Sequence, residues 1–303
     1  MTPLELGDSY SQGGADVARV AGDRESFVLR PAIWAGGASD VGLRHTPNQD
    51  AIAMAAGLGA DGRPVAVTCV SDGVSTSAQS ESASALAAET ACSYLADKLR
   101  SSRTYIDFGK ELTTAFETAN ARIVEAAGTS SPGTWACTLV TAIVWHGTLF
   151  VGSVGDSRAY WVPDDGAPLV LSTDDSMAQA KIELGVDREI AENSSGAHAI
   201  TKWLGPGAHT VQPSLTVIEI TEPGWLLTCS DGLWNYASHP EAMAEAVRAA
   251  IGRASANQPD QVPPAWTVCC ELVDWANDMG GDDNVTVTMF RLPPNQAIDL
   301  TEL

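Results

Sequence analysis

Two apolar runs in this chain stop in the same way. PVAVTCV (64–70) runs into Ser71-Asp72-Gly73, and GWLLTC (224–229) runs into Ser230-Asp231-Gly232. Each run has the length and composition of a buried β-strand. A buried strand that ends on a carboxylate followed by a residue without a side chain is a costly place for a charge. Two such ends in one chain point to one shared use, and they require a fold that gathers strand ends at a common edge.

The order of elements narrows that fold. Strand-like runs at 33–39, 51–56 and 64–70 are followed by two helical stretches. In the first, SESASALAAETACSYLADKL, Leu86, Thr90, Tyr94 and Leu95 fall near one face. In the second, DFGKELTTAFETANARIVEAA, Phe108, Leu112, Ala115, Phe116, Ala119 and Ile123 share a face. Then come TLVTAIVW, TLFVGSVG and SRAYWV, with His146-Gly147 as a tight hairpin turn. After a Gly-, Pro-, Asp- and Ser-rich stretch (163–213, with a short helix near 176–184) come SLTVIEI, GWLLTCS, two helices (240–251 and 266–278) and the strand NVTVTMF. Hairpin-linked strands are antiparallel. Because the helices come in pairs and do not alternate with strands, a doubly wound parallel sheet is excluded. The reading is α+β: a central β-sandwich of two antiparallel sheets flanked by helix pairs, in four layers. The domain is expected over 31–293, behind an N-terminal extension or irregular lead-in (1–30) and before a loose tail (294–303).

Composition excludes some functions. A formal charge of −21 is the opposite of what a nucleic-acid binder gathers. No run of about 18 apolar residues exists to span a membrane, and the N-terminus has no secretory pattern, so a cytoplasmic location is expected. The six cysteines (69, 92, 137, 229, 269, 270) show no paired CxxC spacing and read as small buried hydrophobes. GLGADG (57–62) matches a dinucleotide-binding pattern, but a strand follows where a helix would be needed, so it is a hairpin turn.

Four carboxylates share one context: Asp50 at a strand start, Asp72 and Asp231 at strand ends before glycine, and Asp283 just before the last strand. Each alone is ordinarily a turn or cap residue. Together at one sheet edge they repel one another unless cations hold them. Oxygen-only ligation suits hard ions, Mg²⁺ or Mn²⁺. Gly73, with no side chain, lets its carbonyl approach an ion beside Asp72.

At this point the chain resembles a known family. SDVGLRHTPNQDA, VSDGVSTSAQSESAS, GTWACTLV, VGSVGDSRAYWV, LSTDDS, LLTCSDGLW and GGDDNVTV match, in order over about 34–291, the motifs of the metal-dependent protein phosphatases of the PPM type, also called protein phosphatase type 2C, in their bacterial form. VGSVGDSRAYWV carries the family's G-D-S-R-x-Y signature almost letter for letter.

The resemblance implies a β-sandwich with helix pairs, in agreement with the element order. It implies that Asp72 bridges two Mg²⁺ or Mn²⁺ ions, that Gly73 lends its carbonyl, that Asp231 and Asp283 complete the second site, and that Asp50 acts through bound waters. Asp156 resembles the ligand of a third ion; the alternative is a turn aspartate paired with Arg158. Arg44 and His45, alone or together, are the candidates to bind substrate phosphate. The implied reaction is hydrolysis of phosphoserine or phosphothreonine by direct attack of a hydroxide held between two metals. The implied partners are phosphoproteins and a cognate Ser/Thr kinase, with the phosphatase acting as a monomer. The alternative is a catalytically weak or inactive phosphatase-like binding module; a two-metal hydrolase of small phosphoesters is a third reading.

The chain departs from the family pattern at four places. Gln49 replaces Glu, Arg44 lies six residues before Asp50 where five is common, Ser75-Thr76-Ser77 replace Gly-Gly-His, and Lys202-Trp203 replace Arg-Ala. The third leaves a metal-bound water or His45 as general acid. The fourth reads as local packing. Residues 172–205 correspond to a flap over the site, expected to be a mobile recognition element.

Overall fold

The computed structural model describes residues 16–19, 26–59, 62–74, 76–101, 106–130, 134–259 and 261–293. Twelve strands form two antiparallel six-stranded sheets. The first sheet has the order β1 (Asp16–Arg19), β4 (Ala51–Leu58), β5 (Pro64–Ser71), β6 (Leu139–Trp145), β7 (Thr148–Val154), β10 (Ser214–Glu219). The second runs β2 (Ser26–Ala32), β3 (Ala35–Asp40), β12 (Val285–Leu292), β11 (Gly224–Cys229), β8 (Arg158–Pro163), β9 (Leu169–Val170). Their inner faces meet in an apolar layer that includes Trp34, Met54, Val140, Leu149 and Phe290. Helices α1 (Ser80–Ser101) and α2 (Phe108–Ala127) cover the first sheet. Helices α6 (Pro240–Ala254) and α7 (Ala265–Met279) cover the second. The four-layer α+β sandwich expected from the element order is therefore the observed fold.

Local chemistry accounts for the elements. The β6–β7 hairpin turns on His146 (φ 49°) and Gly147 (φ 82°), both left-handed as a two-residue hairpin turn of matching twist requires. The Asp107 side chain accepts from Lys110 N at 3.2 Å and caps α2, and the face expected for α2 is the buried one. The face expected for α1 is buried only at Leu95. Its buried stripe is Ala83, Ala87, Ala88, Ala91, Cys92 and Leu95, whereas Leu86 and Tyr94 only flank the core. Small residues let a helix lie close to a sheet, so here alanine marks the inward face and apolar size does not.

Two expectations need correction. Residues 1–30 are not an irregular lead-in throughout, because β1 pairs with β4 and β2 pairs with β3 as sheet edges. The run at 33–39 is not one strand either: Ile33-Trp34 is the turn between β2 and β3. Backbone pairing at a sheet edge needs little apolar periodicity, which is why the sequence pattern missed it. The expectation for the tail 294–303 lies outside the described residues. GLGADG does join two antiparallel strands, β4 and β5.

Candidate metal centre

Strand register assembles the site. Ala51 of β4 stands opposite Ser71 of β5, so Asp50 and Asp72 emerge side by side. Cys229 of β11 lies between Val287 of β12 and Arg158 of β8. Asp231, Asp283 and Asp156 therefore leave neighbouring strands at the same end of the sandwich. Across the interior, Thr68 donates to Thr288 (3.0 Å), whose hydroxyl also meets Thr228 (2.6 Å), tying β5 to β12 and β11 just behind that end.

Both glycines of the twin motif sit where a side chain cannot. A Cβ on Gly73 would lie 2.8 Å from the Gln49 carbonyl oxygen and from Ser80. A Cβ on Gly232 would lie 2.0 Å from the Asn284 carbonyl oxygen. Each Asp-Gly pair is thus pressed onto the backbone beside another acidic residue, Asp50 in one case and Asp283 in the other. Asn284 joins the halves: its Oδ1 accepts from Gln49 N (2.7 Å) and its Nδ2 donates to Val41 O (2.8 Å). Gln49 donates to the Ser80 hydroxyl, so the residue that replaces Glu in the pattern holds α1 to this corner.

The carboxylates crowd one another. Asp50 is buried; Ser230 Oγ donates to its Oδ2 at 2.7 Å, and its Oδ1 is buried without a partner among the described residues. Burial, with added repulsion from Asp231 and Asp283, pushes the Asp50 carboxyl up to about 7. Asp72 is raised well above the usual carboxylate range by burial and by Asp50 and Asp231, and Asp156 by burial and by Asp231 and Asp174. Asp231 is raised by burial and by Asp283, and stands close enough to Asp72 for a carboxyl–carboxyl hydrogen bond. Among the described residues, no three acidic, His or Cys side chains already close on a single point as a metal cage. Open shells of this kind fit ions that keep several waters and take one or two carboxylates each. The orphaned Asp50 oxygen and the raised carboxyls fit divalent cations. The Cys137 thiol does not compete for them, since burial pushes it up to about 12.

A cavity of about 480 Å³ opens over Asp72, Asp156, Asp231 and Asp283. Arg44 and His45 reach it indirectly: Arg44 pairs with Asp282 at 2.8 Å and is largely exposed, and His45 Nε2 stands 3.7 Å from Asp283. Arg158 does not pair with Asp156. Its guanidinium makes a bidentate bond to Asp174 (2.7 and 3.0 Å) and lies 3.7 Å over the Trp234 ring, while Trp234 Nε1 donates to Asp156 O at 2.8 Å. The carboxylate of Asp156 is thereby left to the cavity.

The flap has secondary structure of its own. It holds α3 (Met177–Glu183) and α4 (Arg188–Glu192) around a small core of Ala178, Ala191 and Ala197. Its base is tied down: Asp175 accepts from Gly155 N (3.1 Å), and Lys202 Nζ bonds Asp175 Oδ1 (2.5 Å). The flap delivers His198 and Trp203 to the cavity, along with Ile200. Sequence patterns passed over His198 and assigned Trp203 to packing. For Trp203 the signal was its departure from the family pattern; His198 lies in a polar stretch without periodicity and carried none. Thr76 and Ser77 line the same cavity, while Ser75 lies outside the described residues.

The family described as protein phosphatase 2C matches residues 43–274, most of the chain. Among curated proteins, the chain is 31% identical over 154 residues to the serine/threonine protein phosphatase PstP of Mycobacterium tuberculosis, covering 50% of this chain and 27% of that one. It is 29% identical over 153 residues to the serine/threonine phosphatase stp of Listeria innocua, covering 50% and 55%. The matched stretch thus spans about a quarter to a half of those relatives' length. Among solved structures, the M. tuberculosis PstP/Ppp phosphatase superposes with a TM-score of 0.66 at 26% identity, covering 88% of this chain and 100% of that one. The catalytic domain of PstP in complex with two manganese ions gives 0.63 at 25%, covering 88% and 99%. MsPP of Mycobacterium smegmatis, a PPM Ser-Thr phosphatase in complex with cacodylate, gives 0.60 at 30%, covering 85% and 97%. With its sandwich, its carboxylate edge and a family match over most of its length, this chain belongs to the protein phosphatase 2C family.

Proposed function

We propose that this chain is a Mg²⁺- or Mn²⁺-dependent phosphatase that removes phosphate from phosphoserine and phosphothreonine in proteins. One observation carries the reading: a buried carboxylate oxygen on Asp50 has no partner among the described residues and faces further carboxyl groups at one sandwich edge, which divalent cations would satisfy. In this reading Asp72, the Gly73 carbonyl, Asp231 and Asp283 would hold two such ions, Asp50 would support them through waters, and Asp156 would hold a third. Bound there, such ions supply Lewis acidity and lower the pKa of water. The chain's own groups then orient the substrate. Arg44 leaves Asp282 to meet a phosphate oxygen with its fork, and His45, beside Asp283, is placed to give a proton to the departing alkoxide.

The substrates in this reading are phosphorylated proteins made by a Ser/Thr kinase, and the enzyme acts as a monomer in the cytoplasm. No helix among the described residues is long and apolar enough to cross a membrane. The binding-module alternative draws on the polar loop at Thr76-Ser77; the full set of carboxylates weighs against it. The test is hydrolysis of a phosphothreonine peptide with Mn²⁺, with Mg²⁺ and with EDTA, beside Asp72→Ala and Asp231→Ala. Metal-dependent phosphate release, lost in both variants, is expected. A folded protein that binds Mn²⁺ and turns nothing over would sink the proposal.

A further inference from the structure

Asp72 does not stand alone on its piece of backbone. Three short segments cross beside it as an antiparallel ribbon, with Gly73 bridged to Cys137 and Cys137 bridged to Leu204. Thr138 N donates to Asp72 O at 2.8 Å and Val74 N to Ala136 O at 2.9 Å. Cys137 and Leu204 exchange both of their backbone bonds, at 3.1 and 2.8 Å. Side chains alternate across such a ribbon. Gly73, Cys137 and Leu204 face the buried core under α1 and α2. The opposite face carries Asp72, Val74, Ala136, Thr138 and Trp203, and all five line the cavity.

The cavity therefore has two unlike sides on one rigid frame. One is the carboxylate floor. The other is an apolar wall of Val74, Ala136, Ile200 and Trp203. Ribbon strands lie about 4.8 Å apart, so the backbone of Trp203 stands two spacings, on the order of 10 Å, from that of Asp72. The indole N–H is buried and has no partner among the described residues, which is expensive for a side chain that only fills space. The Leu204 bonds and the Lys202–Asp175 pair on either side of it hold the ring's backbone in place.

We propose that this wall is a specificity subsite, with Trp203 as its main surface, for apolar side chains within about three positions of the phosphorylated residue. The inference rests on the phosphatase reading in one respect: it places the phosphate at the carboxylate floor. With the phosphate there, side chains up to about three positions away in an extended chain come within reach of the wall, since residues advance about 3.3 Å each and the wall runs from Val74 out to Trp203. A polar or charged neighbour would lose solvation against Val74, Ala136 and Ile200. An aliphatic or aromatic neighbour buries its surface there.

The experiment compares two phosphothreonine peptides of equal length and charge, one flanked on both sides by Leu and one by Gly, with Mn²⁺. The expected kcat/KM is roughly tenfold higher for the Leu-flanked peptide, mainly through KM; tenfold corresponds to about 1.4 kcal/mol. Trp203→Ala collapses that ratio to within about twofold, and Trp203→Phe retains most of it. If Trp203→Ala fails to fold, Ile200→Ser on the same wall is expected to lower the ratio severalfold. Equal rates for the two peptides, or a ratio unmoved by the wall variants, overturns the inference while leaving the phosphatase reading intact. Binding of the labelled peptides is read in parallel with Ca²⁺ replacing Mn²⁺. Trp203-dependent preference in binding without hydrolysis would keep the wall and sink the phosphatase reading. Neither binding nor hydrolysis of either peptide would sink both.

Discussion

At the end of β5 the chain reads Ser71-Asp72-Gly73, and at the end of β11 it reads Ser230-Asp231-Gly232. The two corners share a construction. In each, glycine is pressed onto a backbone carbonyl next to another acidic residue, Gln49 O beside Asp50 and Asn284 O beside Asp283. In each, the serine hydroxyl is spent internally: Ser71 Oγ donates to Thr138 O (2.5 Å) and Ser230 Oγ to Asp50 (2.7 Å). They differ in the path the chain takes beyond the glycine. At Asp231 the chain has already entered the short helix α5 (Asp231–Trp234), which contains Gly232 and buries Trp234 under Arg158. After Gly73 it continues as a ribbon that carries Val74 and meets Trp203 across Thr138. The same tripeptide thus builds the floor twice, and only the β5 corner also builds a wall for substrate.

The largest difference that can be imposed on this pair is loss of the carboxylate. Asp72→Ala and Asp231→Ala are each expected to lower metal-dependent kcat/KM on a phosphopeptide by roughly a thousandfold, about 4 kcal/mol of barrier. Steady-state kinetics over a Mn²⁺ titration checks this. A Mn²⁺ concentration that restores Asp231→Ala but not Asp72→Ala would show that the corners are unequal in the floor too.

Next come the glycines. Gly232→Ala places a Cβ at 2.0 Å from a carbonyl oxygen and Gly73→Ala at 2.8 Å. Overpacking of this kind costs about 1–3 kcal/mol and occasionally more. Gly232→Ala is expected at the upper end and Gly73→Ala lower, as read by denaturant unfolding with EDTA present. The reverse order would mean that the β11 corner yields more easily than its packing implies.

A subtler expectation concerns the crowded acids without metal. Asp50 is pushed up to about 7 from 3.8, first by burial and then by its carboxylate neighbours. The folded state therefore holds a proton that the unfolded chain has released between those values. This group's contribution is fully favourable below about pH 4, declines as pH rises toward 7, and is level above it. Asp50→Asn should consequently gain stability on the metal-free wild type as pH rises from 4 to 7. Parallel unfolding curves in EDTA test the sign, and a variant-minus-wild-type stability that falls with rising pH would refute it. Mn²⁺ binding must displace such protons, so its apparent affinity should climb over the same range.

The smallest effect is expected at the rim. Arg44 is about two-thirds exposed and its pair with Asp282 is solvated, so Arg44→Ala should leave stability within about 0.5 kcal/mol. It should raise KM severalfold by removing a phosphate contact. An unchanged KM would assign phosphate binding to His45.

The motifs around Asp50, Asp72, Asp231 and Asp283 were legible because each combines a strand pattern with residues that strands ordinarily avoid at their ends. The sandwich was legible from hairpin spacing and paired helices. The α1 face was not, because alanine is a weak periodic signal and its value depends on how near the sheet lies. The edge strands β1 and β2 were not, because an edge is defined by backbone bonds to a partner. Trp203 stood out in the sequence only as an oddity. Its place opposite Asp72 depends on Leu204 pairing with Cys137 and Cys137 with Gly73, residues more than sixty positions apart at each step.

The amino-acid sequence by itself determined which residues could carry charge chemistry and which order of elements could gather them, since strand periodicity and Asp-Gly ends are local properties of the chain. Only the tertiary structure decided which carboxyls crowd together, that Arg158 takes Asp174 and leaves Asp156 to the cavity, and that an indole lines the same cavity as the carboxyls. Those outcomes are set by register and burial, which depend on distances between segments far apart in the chain.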